Sequence, residues 1–139
     1  MQMRRVIQFV TIVAVASGAI CLGGKPEDDA QKVAEQWLAL VDAGKFIESW
    51  KATAPYFQRA VPEEQWALKG KQIRDSFGIL VSRKLKSAHY TKSVPGAPDG
   101  EYVIIQFDTS FARKKAAVET ITPMKDTDGR WKVSGYFIK

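Results

Sequence analysis

Tyr102-Val103-Ile104-Ile105-Gln106-Phe107-Asp108-Thr109-Ser110-Phe111 is the stretch that decides the fold. Val103, Ile105, Phe107, Thr109 and Phe111 alternate with more polar neighbours, so one face of a strand is apolar and the other wet. Strict alternation is the mark of an antiparallel sheet covered on one side only. Downstream, Lys115 to Met124 reads as a further strand. Asp126-Thr127-Asp128-Gly129 reads as a hairpin turn whose Asp-Gly pair supplies positive φ angles. Trp131, Val133 and Phe137 then define one side of a last strand. Upstream, Val94 to Gly100 is a turn-rich connection, and Ile79 to Tyr90 reads as a long first strand. The sheet is expected to be a four-stranded meander, strongly twisted because its strands are long for its width.

Before Ile79 the period changes. Ala30, Ala34, Trp37, Leu38 and Val41 recur at helical spacing, with Asp28 and Gln31 placed as a capping pair and Gly44 as a left-handed stop. Phe46, Ile47 and Trp50 share the face of a short second helix that Pro55 ends. Tyr56 and Phe57 read as an aromatic connector. Pro62 opens a third helix carrying Trp66, Ile73 and Phe77, closed by Gly78. Three helices followed by four strands predict an α+β domain, with the helices packed on one face of a curved antiparallel meander.

The N-terminus reads differently. Arg4 and Arg5 precede an uncharged apolar run from Val6 to Ile20, with Ser17, Gly18 and Ala19 small. The run is shorter than the ~20 residues that span a bilayer. This predicts a secretory signal peptide over 1–24, cut after Ala19 or Gly23, and a single α+β domain over 25–139. An uncleaved anchor is the other reading. The protein is expected to be exported, to a periplasm or beyond. Cys21 is the only cysteine. It is either lost with the signal or lipidated, although Gly18 and Ile20 fit a lipidation signal poorly.

At 139 residues, 45% hydrophobic and 26% charged, the chain is neither a disordered tail nor a polytopic membrane protein. One histidine and one cysteine exclude a multi-histidine or cysteine-cluster metal site. No phosphate-binding glycine loop, nucleophile elbow or paired-carboxylate signature is present. Neither a metal nor a cofactor is expected, and no catalytic residue is assigned. The formal charge of +6 is uneven. Acids outnumber bases from Lys25 to Trp66, and bases outnumber acids from Ala67 to Lys139. Lys69, Lys71 and Arg74 lie on the third helix, Lys84, Lys86 and Lys92 follow, and Arg113-Lys114-Lys115 form a turn cluster. A solvated sheet face with edge lysines accounts for them. Weak contact with an anionic envelope surface is a second reading, and nucleic acid is not an expected partner.

Five residues are candidates for a ligand pocket: Trp50, Trp66, Arg83, His89 and Glu119. Strand parity puts Arg83 and His89 with Val81 and Leu85 on one face, where a charge needs a partner or a pocket. Glu119 is the candidate partner of Arg83. The tryptophans Trp37, Trp50, Trp66 and Trp131 anchor a core or line an aromatic cavity. Tyr102 and Tyr136 fall on the opposite parity from the apolar sets, which places them at the surface or at a pocket mouth.

The ordered set Trp37-Leu38, Val41-Asp42-Ala43-Gly44, Ser49-Trp50, Trp66, Arg74, Gly78, Arg83, Asp99-Gly100-Glu101-Tyr102, Phe107, Glu119 and Asp128-Gly129-Arg130-Trp131-Lys132-Val133-Ser134-Gly135-Tyr136 resembles a family of small secreted bacterial proteins, domain of unknown function 4019. The resemblance runs from about Ala30 to Ile138 and implies no reaction, substrate or catalytic residue. The helix-then-meander order also resembles the cystatin-like and nuclear-transport-factor-2-like folds, an analogy that does not fix a function. The expected role is a non-catalytic module that binds an envelope protein or a small ligand. The other reading is an enzyme with a cone-shaped pocket using His89, Arg83 or Glu119.

Overall fold

The computed structural model describes residues 25–139. The expected signal peptide and the alternatives at Cys21 lie outside the described residues. The order is α1 (Pro26–Asp42), α2 (Phe46–Lys51), α3 (Pro55–Ala60), α4 (Glu63–Phe77), β1 (Leu80–Thr91), β2 (Tyr102–Phe111), β3 (Lys114–Lys125) and β4 (Trp131–Ile138). The class is α+β, with every helix before every strand. The four strands form one antiparallel sheet in the order β1-β2-β3-β4. No helix among the described residues is long and apolar enough to cross a membrane.

Among the described residues there are four helices rather than three. The expected connector at Tyr56 and Phe57 is α3, and Pro55 opens it instead of only ending α2. A proline at the first helical position loses no hydrogen bond and starts with the right φ. The start of α1 also differs. Its cap is Lys25, without a side-chain bond, and Asp28 sits inside the first turn with Glu27 and Asp29. Three acids there favour the positive helix end directly. Gln31 bonds Glu35 at 2.9 Å instead of reaching back.

The end of α1 is a Schellman turn. The Gly44 N–H donates to the Val41 carbonyl and the Lys45 N–H to the Leu40 carbonyl, with Gly44 at φ 74°. At the β3–β4 hairpin, Gly129 alone has positive φ; Asp128 does not share it. The Gly129 N–H closes the turn onto the Asp126 carbonyl.

α1 lies across the sheet and buries Ala30, Ala34, Trp37, Leu38 and Val41 against Val103, Ile105, Phe107, Ile121 and Val133. The alternation of β2 holds: Val103, Ile105, Phe107, Thr109 and Phe111 are all buried. Elsewhere parity breaks at irregularities. In β1, register shifts fall between Leu80 and Ser82 and between Leu85 and Ser87. An extra residue in one strand turns the following side chains to the other face. Arg83 therefore lies opposite Thr109, beside the core, whereas His89 lies opposite Ile104 on the outer face and is exposed. In β4, Pro123 pairs with Val133 and Thr122 with Gly135, which leaves Ser134 as the extra residue. Pro123 has no N–H to give the ladder, and the Ser134 hydroxyl donates to the Thr122 carbonyl at 2.6 Å. Beyond this bulge Tyr136 points inward and Phe137, 52% exposed, points out. Tyr102 is also buried, 1% exposed, against its expected position at the surface or a pocket mouth.

Candidate functional site

Two features meet where α1, α3 and α4 cross β4: a groove and, beside it, a network of ionised side chains. The groove has a volume of about 580 Å³. Phe57, Trp66, Ile73, Phe77 and Ile138 supply much of its apolar wall, and Gly70 gives α4 room there. A Cβ on Gly70 would stand 2.9 Å from the Phe46 ring, so α2 and α4 approach each other closely at this residue. The aromatic end of the groove is an ordered cluster. The ring of Trp37 lies 5.5 Å from Trp66 and 5.1 Å from Tyr136, and Phe57 meets Trp66 edge-on at 5.6 Å. Indole N–H groups fix these rings. Trp37 donates to the Ser49 carbonyl at 2.8 Å, and Trp66 to the Ser49 hydroxyl at 3.0 Å.

Behind Tyr136 lies Glu119, which is 0% exposed in the middle of β3. Its Oε1 accepts from Arg83 Nε at 2.7 Å and from the Thr109 hydroxyl at 2.6 Å. Its Oε2 accepts from Arg83 Nη2 at 3.3 Å and from the Tyr136 hydroxyl. Arg83 continues to Asp42, from Nη1 to Oδ2 at 2.7 Å and from Nη2 to Oδ1 at 3.0 Å. Asp42 also accepts from Arg74 Nη2 at 2.8 Å. Two arginines and two carboxylates thus balance in charge, and Tyr136 joins them to the groove.

The protonation states follow from this arrangement. Burial pushes the Asp42 carboxyl up, but the bonds from Arg83 and Arg74 outweigh it and hold it below the usual range. Burial would lower Arg83, yet the hydrogen bonds and charges of Asp42 and Glu119 raise it further. Tyr136 is pushed well above the ordinary phenol range, first by burial and then by the charge of Glu119 and the bond to it. At neutral pH Tyr136 is a neutral donor, occupied by Glu119.

The five sequence candidates separate. Arg83 and Glu119 form the expected pair. Trp66 lines the groove. Trp50 donates its indole N–H to the Val61 carbonyl at 2.7 Å and is not among the lining residues. His89 is on the other face of the sheet, away from Arg83. Asp42, Arg74 and Tyr136 were not among the candidates. A signal for Arg74 existed, because it continues the helical stripe of Trp66, Ile73 and Phe77. A charge on that stripe faces the interior. The basic turn cluster also gains a structural role. Arg113 Nε donates to the Ser76 carbonyl at 3.1 Å and its Nη2 to the Asp75 carbonyl, closing the end of α4. No group of His, Cys, Asp and Glu suited to a metal ion is found among the described residues.

A family model described as Protein of unknown function (DUF4019) matches residues 33–136. The chain belongs to that family. The matched span of this DUF4019 protein includes Asp42, Arg74, Arg83, Glu119 and Tyr136, and ends just before Phe137. A comparison with curated proteins gives no match. Among solved structures, one from Catenulispora acidiphila is similar at a TM-score of 0.52 and 11% identity. The likeness covers 81% of this chain and 88% of that one. At such identity it shows a shared fold and nothing about function.

Proposed function

We propose that this protein is a non-catalytic module of the cell envelope that binds a small, largely apolar ligand in the groove between α3, α4 and β4. The groove carries the reading. Its volume suits a small molecule, and its wall is mostly aromatic and aliphatic with a few polar groups. Among the described residues the lining contains no acid, histidine, cysteine, serine or threonine, and the Tyr136 hydroxyl is engaged by Glu119. That chemistry suits holding a ligand better than transferring a proton or an acyl group from it. The envelope location rests on the amino-terminal sequence, with its two arginines and uncharged run.

The test is titration of the purified full chain with the uncharged dye N-phenyl-1-naphthylamine. Binding beside Trp66 is expected to give saturable dye emission sensitised by tryptophan. Ala60→Trp, which places an indole into the groove from α3, is expected to abolish it. No saturable binding by the native chain, or equal binding by Ala60→Trp, would overturn the proposal.

A further inference from the structure

Among the described residues, the only charged ones lining the groove are Lys69 and Arg74. Lys69 is exposed at the rim. Arg74 is different: its side chain is only 10% exposed, and among the described residues its Nε and Nη1 have no hydrogen-bond partner. Of its donors, Nη2 alone is bonded, to Asp42. The Arg74 Cζ lies over the Phe111 ring, 4.8 Å from its centre, a cation–π contact that supplies no hydrogen-bond acceptor to the N–H groups. Buried donors without acceptors are rare and unfavourable, and those of a cation more so. Arg83 shows what satisfaction looks like in the same network, with four bonds to two carboxylates.

Resting on the groove reading above, we infer that the ligand is an amphiphile with a single anionic headgroup, a carboxylate or a phosphate, and that Arg74 receives that headgroup while the apolar tail lies along Trp66, Ile73 and Phe77. Nε and Nη1 are out of solvent contact, so the guanidinium must shift toward an entering anion. The hydrogen bonds it gains favour that shift. Lys69 at the rim adds attraction during entry. A cationic amphiphile meets two positive side chains and no acid on the lining. A neutral one offers only uncharged acceptors, which bond a guanidinium more weakly than an anion does.

The test uses four probes with one tail, all below their aggregation limits: decanoate, decyl phosphate, decanol and decyltrimethylammonium. Each is titrated calorimetrically into the full chain. Decanoate or decyl phosphate is expected to bind about tenfold more tightly than decanol, and the cation most weakly. The stronger of the two anions tells a carboxylate source from a phosphate source. Arg74→Gln is expected to bring decanoate and decanol to equal affinity, and Arg74→Lys to restore part of the difference. Because Arg74 also holds Asp42, a measurement on the native chain accompanies the variants. The Arg74 Nε–H resonance in arginine-selected proton–nitrogen spectra is expected to move on adding decanoate and to stay in place with decanol.

Equal binding of decanoate and decanol would overturn the headgroup assignment and leave the groove reading intact. Failure of all four probes would overturn both. An anion preference that survives Arg74→Gln but disappears in Lys69→Gln would place the headgroup at the rim and refute the role of Arg74.

Discussion

Replacing Arg83 with methionine tests whether the ion network holds the fold. Arg83→Met keeps side-chain length and removes four charge-assisted hydrogen bonds, two to Glu119 and two to Asp42. Asp42 keeps Arg74 and some contact with water, so its loss is partial. Glu119 has neither; only the hydroxyls of Thr109 and Tyr136 remain to it. Removing one partner of a buried pair destabilises by about 3–5 kcal/mol. That is a large share of the ~5–15 kcal/mol that holds a typical domain together. Urea unfolding at pH 7, followed by far-ultraviolet circular dichroism, is expected to show that loss as a lower midpoint at unchanged slope. The second half of the cycle decides the cause. Glu119→Gln leaves acceptors for Thr109 and Tyr136 but removes the buried negative charge. In Arg83→Met/Glu119→Gln no uncompensated charge remains, so the double variant is expected to be more stable than the sum of the singles by about 2 kcal/mol. Additivity within about 0.5 kcal/mol, or a single-variant loss below about 1 kcal/mol, would refute the account.

Three further outcomes follow from particular side chains. Asp42→Asn is expected to cost about 1.5–3 kcal/mol at pH 7, the usual worth of bonds to a charged group. The Asp42 carboxyl is depressed in the fold, so its contribution is full above the unfolded value of about 3.9 and fades as pH falls through the folded one. The gap between native chain and variant in acid urea titrations should close in that direction; a constant gap would contradict it. Tyr136 is raised, so its contribution is complete below the unfolded phenol value of about 10 and declines as pH rises from there toward the folded value. Tyr136→Phe should flatten the alkaline loss of stability, and an unchanged profile counts against the Glu119 contact. Gly44 stands at φ 74° with open space where a Cβ would go, so strain alone is tested there. Gly44→Ala is expected to lower stability by about 1 kcal/mol and Gly44→Asn by less, measured by thermal unfolding.

The class of fold was legible because its signals are local. The alternation of β2, the stripe of α1 and the glycines at 44 and 78 each report on a few neighbouring residues, and all of them agree. Pro55 misled because a proline serves equally to end one helix and to begin the next, and only the path of the chain chooses. Strand parity failed in β1 and β4 for one physical reason. A bulge adds a residue that no pattern of hydrophobicity announces, and each one reverses the faces beyond it. His89 was thereby assigned to the wrong face. Of the two positions expected for Tyr136, surface or pocket mouth, the structure has it lining the groove, its ring packed against Trp37 and Trp66.

Arg83 and Glu119 could be paired from sequence, since two opposite charges on the apolar sides of two strands need each other. Asp42 and Arg74 could not, because the helix ends that carry them meet only in three dimensions. The distinction that matters for function is finer still. Both arginines are largely buried and both touch Asp42, yet Arg83 spends its donors on two carboxylates while Arg74 makes one hydrogen bond. A fully satisfied buried cation resists change, because any new partner must replace an equivalent one already in place. An undersatisfied cation on the wall of an apolar groove still has donors to offer a new partner. If the proposal above holds, the same network contains a scaffold and a receptor, and the count of hydrogen bonds on each guanidinium is what separates them.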